Sequence, residues 1–295
     1  MRILVSGASG TIGAALLPRL KAEGHELVRL VRGAVGPDQI AWDPERPLRP
    51  QSVSGFDAVV HLAGEPIVGR WTEPKKRRIL ESRVEGTRHL AEALAEAATP
   101  PQVFVSASAI GYYGDRGGEI LLEESSSGAG FLAEVCRSWE AATQPAADAG
   151  IRVAQIRTGL VLSGEGGALQ KMLTPFRMGV GGNVGSGQQW WSWIHVADLV
   201  GAVHYVLEND SLHGPINGVA PNSATNAEFT KTLAAVLHRP AIFPMPVFAV
   251  KLMFGQMGEE LLLASQRVEP AKLVACGYRF QHAQLREALE DTLRS

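Results

Sequence analysis

The chain has 295 residues, with 28 Lys+Arg against 30 Asp+Glu and a formal net charge of −2. That balance argues against a basic nucleic-acid binder, and 45% hydrophobic residues with 20% charged argue against disorder. Two cysteines, Cys136 and Cys276, are too few to staple a secreted scaffold. No apolar run approaches the roughly 18 to 20 residues that span a bilayer. The first apolar run begins right after Met1, so no presequence is expected. A soluble, cytoplasmic protein without membrane or nucleic-acid partners is expected.

Strands and helices alternate in the first half. Ile3–Val5 reads as a strand, followed by a glycine-rich turn and a helix from about Thr11 to Glu23, which Gly24 ends. Strands follow at Glu26–Val31, Ile40–Trp42 and Phe56–Leu62. A long helix runs from about Lys75 to Ala97, with Pro100-Pro101 as a stop. Val103–Ser106 is a fifth strand, Phe131–Ala149 a helix and Arg152–Ile156 a sixth strand. Short, near-continuous apolar strands alternating with helices predict a parallel sheet covered on both faces. After about residue 160 a glycine-rich stretch leads into a helix at Val196–Glu208 and a short strand near Ile216-Asn217. An amphipathic helix at Thr225–Leu237, a proline breakpoint and short helices ending in Ala283–Leu293 follow. The expected organisation is α/β: a Rossmann-type doubly wound core over residues 1–160, a mixed segment completing core and substrate pocket over 161–245, and a small helical region over 246–295.

Gly7-Ala8-Ser9-Gly10-Thr11-Ile12-Gly13 lies between the first strand and the first helix. In that position Gly7 permits a tight turn, Gly10 lets backbone approach a pyrophosphate, and Gly13 lets helix and strand pack closely. The second strand ends Val28-Arg29-Leu30-Val31-Arg32, without the acid that would hold the ribose 2′-OH of NAD. Arg32 suits a 2′-phosphate instead, which selects NADP(H). Asp43, after the third strand, either accepts from the adenine amino group or caps the turn at Pro44. No His, Cys, Asp or Glu run has metal-ligand spacing, so no metal is expected.

These residues resemble the extended and atypical short-chain dehydrogenase/reductases, the NAD-dependent epimerase/dehydratase family. Besides Gly7–Gly13, the matching strings are Asp57–Gly64, Arg83-Val84-Glu85-Gly86-Thr87 and Val105-Ser106-Ala107-Ser108. A narrower group, the YfcH-like epimerase-family proteins, resembles Ala63–Ile67, Ser108–Gly114, Phe131–Cys136 and Gly187–Asp198. Its C-terminal domain of unknown function resembles the tail from Phe254-Gly255 to Leu273. The resemblance implies that Gly7, Ser9, Gly10, Thr11, Ile12 and Gly13 hold a pyrophosphate and that Leu62, Ala63 and Gly64 line the cofactor. It also places Arg83, where the family has Asn, on a helix passing under the cofactor, within reach of phosphate or ribose.

The family moves hydride with a Tyr-x-x-x-Lys pair. Anchored on Glu140, that pair falls on Leu132 and Cys136, which transfer no proton and carry no positive charge at neutral pH. No Tyr-x-x-x-Lys occurs elsewhere in the chain. The remaining candidates are Ser108, to orient a substrate carbonyl, the phenols of Tyr112 and Tyr113, and Glu65 as an acid/base after strand four. Trp190, Trp191 and Trp193 form either a hydrophobic seam or a pocket wall, whereas His195 and Asp198 read as structural. Two readings follow: an NADP(H)-dependent oxidoreductase or epimerase-like enzyme on a small molecule, or a non-catalytic NADPH-binding regulator.

Overall fold

The computed structural model describes residues 1–294. Seven strands form its central sheet: β1 (Arg2–Ser6), β2 (Glu26–Val31), β3 (Gln39–Ala41), β4 (Ala58–His61), β5 (Val103–Ala109), β6 (Arg152–Thr158) and β7 (Gly214–Gly218). Their order is β7-β6-β5-β4-β1-β2-β3, and every pairing is parallel. The order therefore reverses direction between β1 and β4. Such a switch point is where ligands enter doubly wound sheets, because the crossovers leave on opposite faces and open a crevice at the carboxyl ends of the strands.

Alternation along each strand assigns the two faces. Ile3, Val5, Val60, Val105 and Ile156 pack with helix α1 (Thr11–Ala22) and with Leu199, Val203 and Leu207 of a later helix. Leu4, Val28, Val59, Phe104 and Val153 pack instead on Leu90, Ala91 and Leu94 of α2 (Glu73–Ala95). With apolar residues toward both layers, these strands read as continuous hydrophobic runs.

The helix expected over Phe131–Ala149 is two helices, α3 (Phe131–Ala141) and α4 (Gln144–Asp148). Pro145 has no N–H for a continuous ladder, and the Thr143 hydroxyl donates to the Glu140 carbonyl at 2.7 Å, closing the end of α3. The glycine-rich stretch after residue 160 also conceals a helix, α5 (Gly167–Arg177). Next comes α6 (Val196–Glu208), which supplies the Leu199, Val203 and Leu207 contacts described above. A second core gathers Leu173 and Phe176 of α5, Trp191, Trp193, Phe229 and Leu233 of α7 (Asn226–Leu237), and Leu289 of the last helix. Helix α8 spans Val247–Phe254 and α9 spans Leu285–Arg294. Trp191 and Trp193 thus form a buried seam, while the Trp190 ring lies under the Arg267 guanidinium at 4.4 Å. His195 caps α6 by accepting from the Ala197 N–H at 3.2 Å. The fully buried Asp198 accepts from the N–H groups of Gln281 and His282, tying the tail to the core. No helix among the described residues is long and apolar enough to cross a membrane.

Candidate cofactor site and its missing dyad

The glycine loop leaves β1 at the switch point. Gly7 has φ +70°, and a Cβ there would lie 2.6 Å from the Leu62 carbonyl carbon and 2.7 Å from the Ala63 nitrogen. Only glycine permits that close approach of β1 and β4. At Gly10 a Cβ would meet nothing nearer than the Gly7 carbonyl oxygen at 3.4 Å and would otherwise project into the space above the loop. Gly10 is the cap residue of α1, and no side chain caps that helix. The first N–H groups of α1 therefore face outward without a side-chain acceptor, which is the donor set that suits a pyrophosphate. Ser9 and Gly10 are exposed, and Thr11 and Ile12 half-buried.

Beneath the loop runs a buried polar chain. Ser6 Oγ bonds to His61 Nδ1 at 2.6 Å, and His61 Nε2 bonds to Thr87 Oγ1 at 3.0 Å. Trp139 Nε1 donates to the same Thr87 hydroxyl at 2.9 Å. This chain joins β1, β4, α2 and α3. Burial pushes the His61 pKa down to about 4, so its ring is neutral.

Arg32 is exposed at the end of β2 and has no carboxylate within ion-pair distance among the described residues. A cleft of about 460 Å³ opens beside it, lined by Gly33, Trp42, Asp43, Arg46 and Arg49. Asp43 Oδ1 accepts from the Glu45 N–H at 3.1 Å and Oδ2 pairs with Arg46 at 3.2 Å, so its carboxylate caps the turn at Pro44. Of the two roles open to Asp43, the turn is the one this geometry forms.

Glu65 does not stand ready as a proton donor. Its carboxylate accepts from Lys75 Nζ at 2.7 Å, and that bond leads the causes holding its pKa below the usual range. Arg83 projects from α2 against Gly64, whose added Cβ would lie 3.2 Å from the guanidinium carbon. Its Nη1 donates to the carbonyls of Glu65 at 3.0 Å and Ile79 at 3.2 Å. Its guanidinium carbon stands 5.0 Å from the centre of the Trp139 ring.

The β5–β6 end differs. Arg157 of β6 makes a bidentate pair with Glu140 of α3, both contacts at 2.8 Å, with side chains 3% and 13% exposed. Ser108 Oγ donates to the same Glu140 carboxylate at 2.7 Å. Tyr113 is fully buried; its hydroxyl donates toward Asn217 Oδ1 at 2.7 Å, lies 3.0 Å from the Leu122 carbonyl and accepts from Arg157 at 3.0 Å. Burial pushes its pKa up to about 12. The expectation that Tyr113 offers a proton to substrate is corrected: the phenol has no access and no free valence. Tyr112 is half-buried, its ring 3.5 Å from the Arg157 guanidinium carbon, and among the described residues its hydroxyl has no hydrogen-bond partner.

Leu132 and Cys136 lie one turn apart on α3, facing Gly111; a Cβ on Gly111 would lie 3.1 Å from Leu132 Cβ and 3.8 Å from Cys136 Sγ. Burial pushes the Cys136 thiol up to about 12, which leaves it protonated. Beside Leu132 opens a cleft of about 210 Å³, closed from the tail by Glu259, Glu260 and Gln266. Glu260 also caps α3, accepting from the N–H groups of Phe131 at 3.0 Å and Leu132 at 2.8 Å.

The Glu140–Arg157 pair and the Glu260 cap escaped sequence reasoning. One signal was present: a charged residue inside the apolar strand Val153–Arg157 demands a buried partner. Spacing along the chain also concealed two convergent groups. His195 Nε2 and His282 Nε2 lie 3.4 Å and 3.9 Å from Asp291 Oδ2. His204 Nε2 lies 3.1 Å from His25 Nε2 and 3.4 Å from Glu208 Oε1.

Comparison with known proteins follows this architecture. The model of the NAD dependent epimerase/dehydratase family matches residues 3–217. The chain belongs to that family. A domain of unknown function, DUF1731, matches residues 245–292. The human epimerase family protein SDR39U1 is 41% identical over 295 residues, covering 99% of each chain. Epimerase family protein YfhF of Bacillus subtilis is 36% identical over 299 residues, covering 99% of this chain and 98% of the relative. Among solved structures, human SDR39U1 (isoform 2) with NADPH superposes with a TM-score of 0.92 at 39% identity, covering all of both chains. A nucleoside-diphosphate sugar epimerase from Corynebacterium glutamicum gives 0.84 at 42% identity, covering 99% of this chain and 58% of that one. The chain shares the fold of these relatives, and Leu132 and Cys136 stand where the sequence resemblance puts the family's Tyr and Lys.

Proposed function

We propose that the chain is an NADP(H)-dependent oxidoreductase or epimerase-like enzyme acting on a small molecule in the cytoplasm. The observation that carries the reading is the glycine loop at the switch point: outward-facing N–H groups of α1, open space over Gly10, and Arg32 rather than an acid at the end of β2. In this reading Gly7, Ser9, Gly10, Thr11, Ile12 and Gly13 seat the pyrophosphate, Leu62, Ala63 and Gly64 flank the cofactor, and Arg32 pairs with the 2′-phosphate. The NADPH held by human SDR39U1, at a TM-score of 0.92, supports the same choice. Bound there, the nicotinamide would supply hydride. The substrate would occupy the cleft beside Leu132, with the tail residues Glu260 and Gln266 excluding water on one side. Of the four candidate proton carriers, Tyr112 alone has no hydrogen-bond partner among the described residues, and we assign proton transfer to it. A net charge of −2 supports a small-molecule partner over a nucleic acid.

Two measurements test this. Wild-type protein should bind NADPH and oxidise it with at least one member of a panel of carbonyl compounds; tight binding without oxidation across the panel would instead identify a regulator. Arg32→Ala should weaken NADPH by about tenfold or more, the worth of one charge-assisted contact, and leave NADH nearly unchanged. Equal weakening of both removes Arg32 from the 2′-phosphate.

A further inference from the structure

We infer that Arg83 holds the nicotinamide ribose, taking over from α2 the binding half of the dyad that Leu132 and Cys136 have lost on α3. The inference rests on the NADP(H) reading above and adds a residue to it.

The guanidinium occupies the gap between the exit of β4 and the inner face of α3. On one side it lies against Gly64, 3.2 to 3.4 Å from the position of an added Cβ. On the other it faces Trp139, one turn beyond Cys136 on the same face of α3. Cys136, where the resemblance puts the family's lysine, lies one turn before Trp139 on this wall of the gap. Arg83 reaches the gap from the opposite wall.

The hydrogen bonds of Arg83 are incomplete in a telling way. A guanidinium has five N–H donors in a planar fork. Nη1 is engaged by the carbonyls of Glu65 and Ile79, while Nε and Nη2 have no acceptor among the described residues. No carboxylate pairs with Arg83 among the described residues, and the Glu65 carboxylate is held by Lys75 at 2.7 Å. A largely desolvated cation with three unused donors is costly unless a ligand accepts from it. Two parallel donors match the vicinal hydroxyls of a ribose, as they match other paired oxygens. The two backbone bonds fix the direction of the fork before any ligand arrives.

Arginine replaces only part of what was lost. It binds and orients, but its guanidinium does not release a proton at physiological pH. Binding and acid chemistry, coupled in one helix turn elsewhere in the family, are here divided between α2 and another group.

The test compares two probes on the full-length chain. NADPH carries both riboses, whereas 2′,5′-ADP carries the adenosine and its 2′-phosphate without the nicotinamide ribose. Arg83→Ala and Arg83→Gln should each weaken NADPH about 10- to 100-fold, as loss of charge-assisted hydrogen bonds does, and leave 2′,5′-ADP within about twofold of wild type. Retained binding of 2′,5′-ADP also shows that the variants are folded. Equal weakening of both probes, or undiminished NADPH binding, overturns the role of Arg83. Wild-type protein that binds neither probe overturns the cofactor reading itself.

Discussion

The two ends of the switch crevice solve different problems. At the β1–β4 end, recognition is done by backbone: glycines at 7 and 10, uncapped N–H groups of α1, and a neutral buried His61 bracing the strands from below. At the β5–β6 end, side chains dominate, and nearly all of them bind one another. Ser108, Glu140, Arg157 and Tyr113 form one closed hydrogen-bonded group. An anion site made of main chain tolerates almost any side-chain change around it. A catalytic constellation depends on particular side chains, and here Ser108, Glu140, Arg157 and Tyr113 are bound to one another instead.

The largest effect that should separate the two ends is on stability. Glu140→Gln leaves the Arg157 guanidinium, 3% exposed, without its counter-charge. Breaking a buried pair in this way costs about 3 to 5 kcal/mol, a large fraction of the stability of a typical domain. A urea-unfolding midpoint should fall accordingly with the slope unchanged. NADPH affinity of the folded protein should stay within about twofold. A parallel loss of affinity would mean the two ends are coupled and the contrast is false.

The next effect belongs to the β1–β4 end and is read in pH. His61 is fully buried and its pKa is lowered from 6.5 to about 4. The unfolded chain therefore binds a proton below pH 6.5 that the folded chain refuses. Stability rises with pH through this window; going down, it falls from about pH 6.5 and the loss is complete near pH 4. The shift corresponds to about 3 kcal/mol. A His61→Gln variant should lose this slope and keep that of the remaining groups; identical slopes in both proteins would remove His61 as the source.

How legible these ends were differs for the same reason. The glycine loop was readable because its requirements are local: a strand, three glycines and a helix start within thirteen residues. A parallel sheet covered on both faces followed from short apolar runs alternating with helices, whereas the strand order was set by the three-dimensional pairing. The closed group at β5–β6 was not readable, since Ser108, Glu140 and Arg157 meet only through parallel pairing of β5 with β6 and packing of α3 across them. Ser108 and Tyr113 carry the right functional groups, and nothing in their neighbourhood along the chain shows that those groups are already engaged. The split between α3 and α4 was missed although Pro145 carried its signal, and helix α5 was masked by the glycines around it.

The smallest effect discriminates most finely. Ser108 Oγ donates its only proton to Glu140 Oε1 at 2.7 Å and is 3% exposed. With that proton engaged, the hydroxyl can only accept from a ligand, so it cannot polarise a substrate carbonyl without first breaking a bond to a carboxylate. Ser108→Ala removes one of three hydrogen bonds to Glu140 but leaves the bidentate Arg157 contact intact. A loss of about 1.5 kcal/mol is expected, at the lower end for a bond to a charged group, with NADPH affinity unchanged. The turnover number, once a substrate is in hand, decides the rest. If it too is unchanged, Ser108 belongs wholly to the closed group. A fall of about a hundredfold, the low end for removing a group that stabilises the developing oxyanion, would show that the Ser108–Glu140 bond opens during the reaction and that the two ends differ less than their resting geometry indicates.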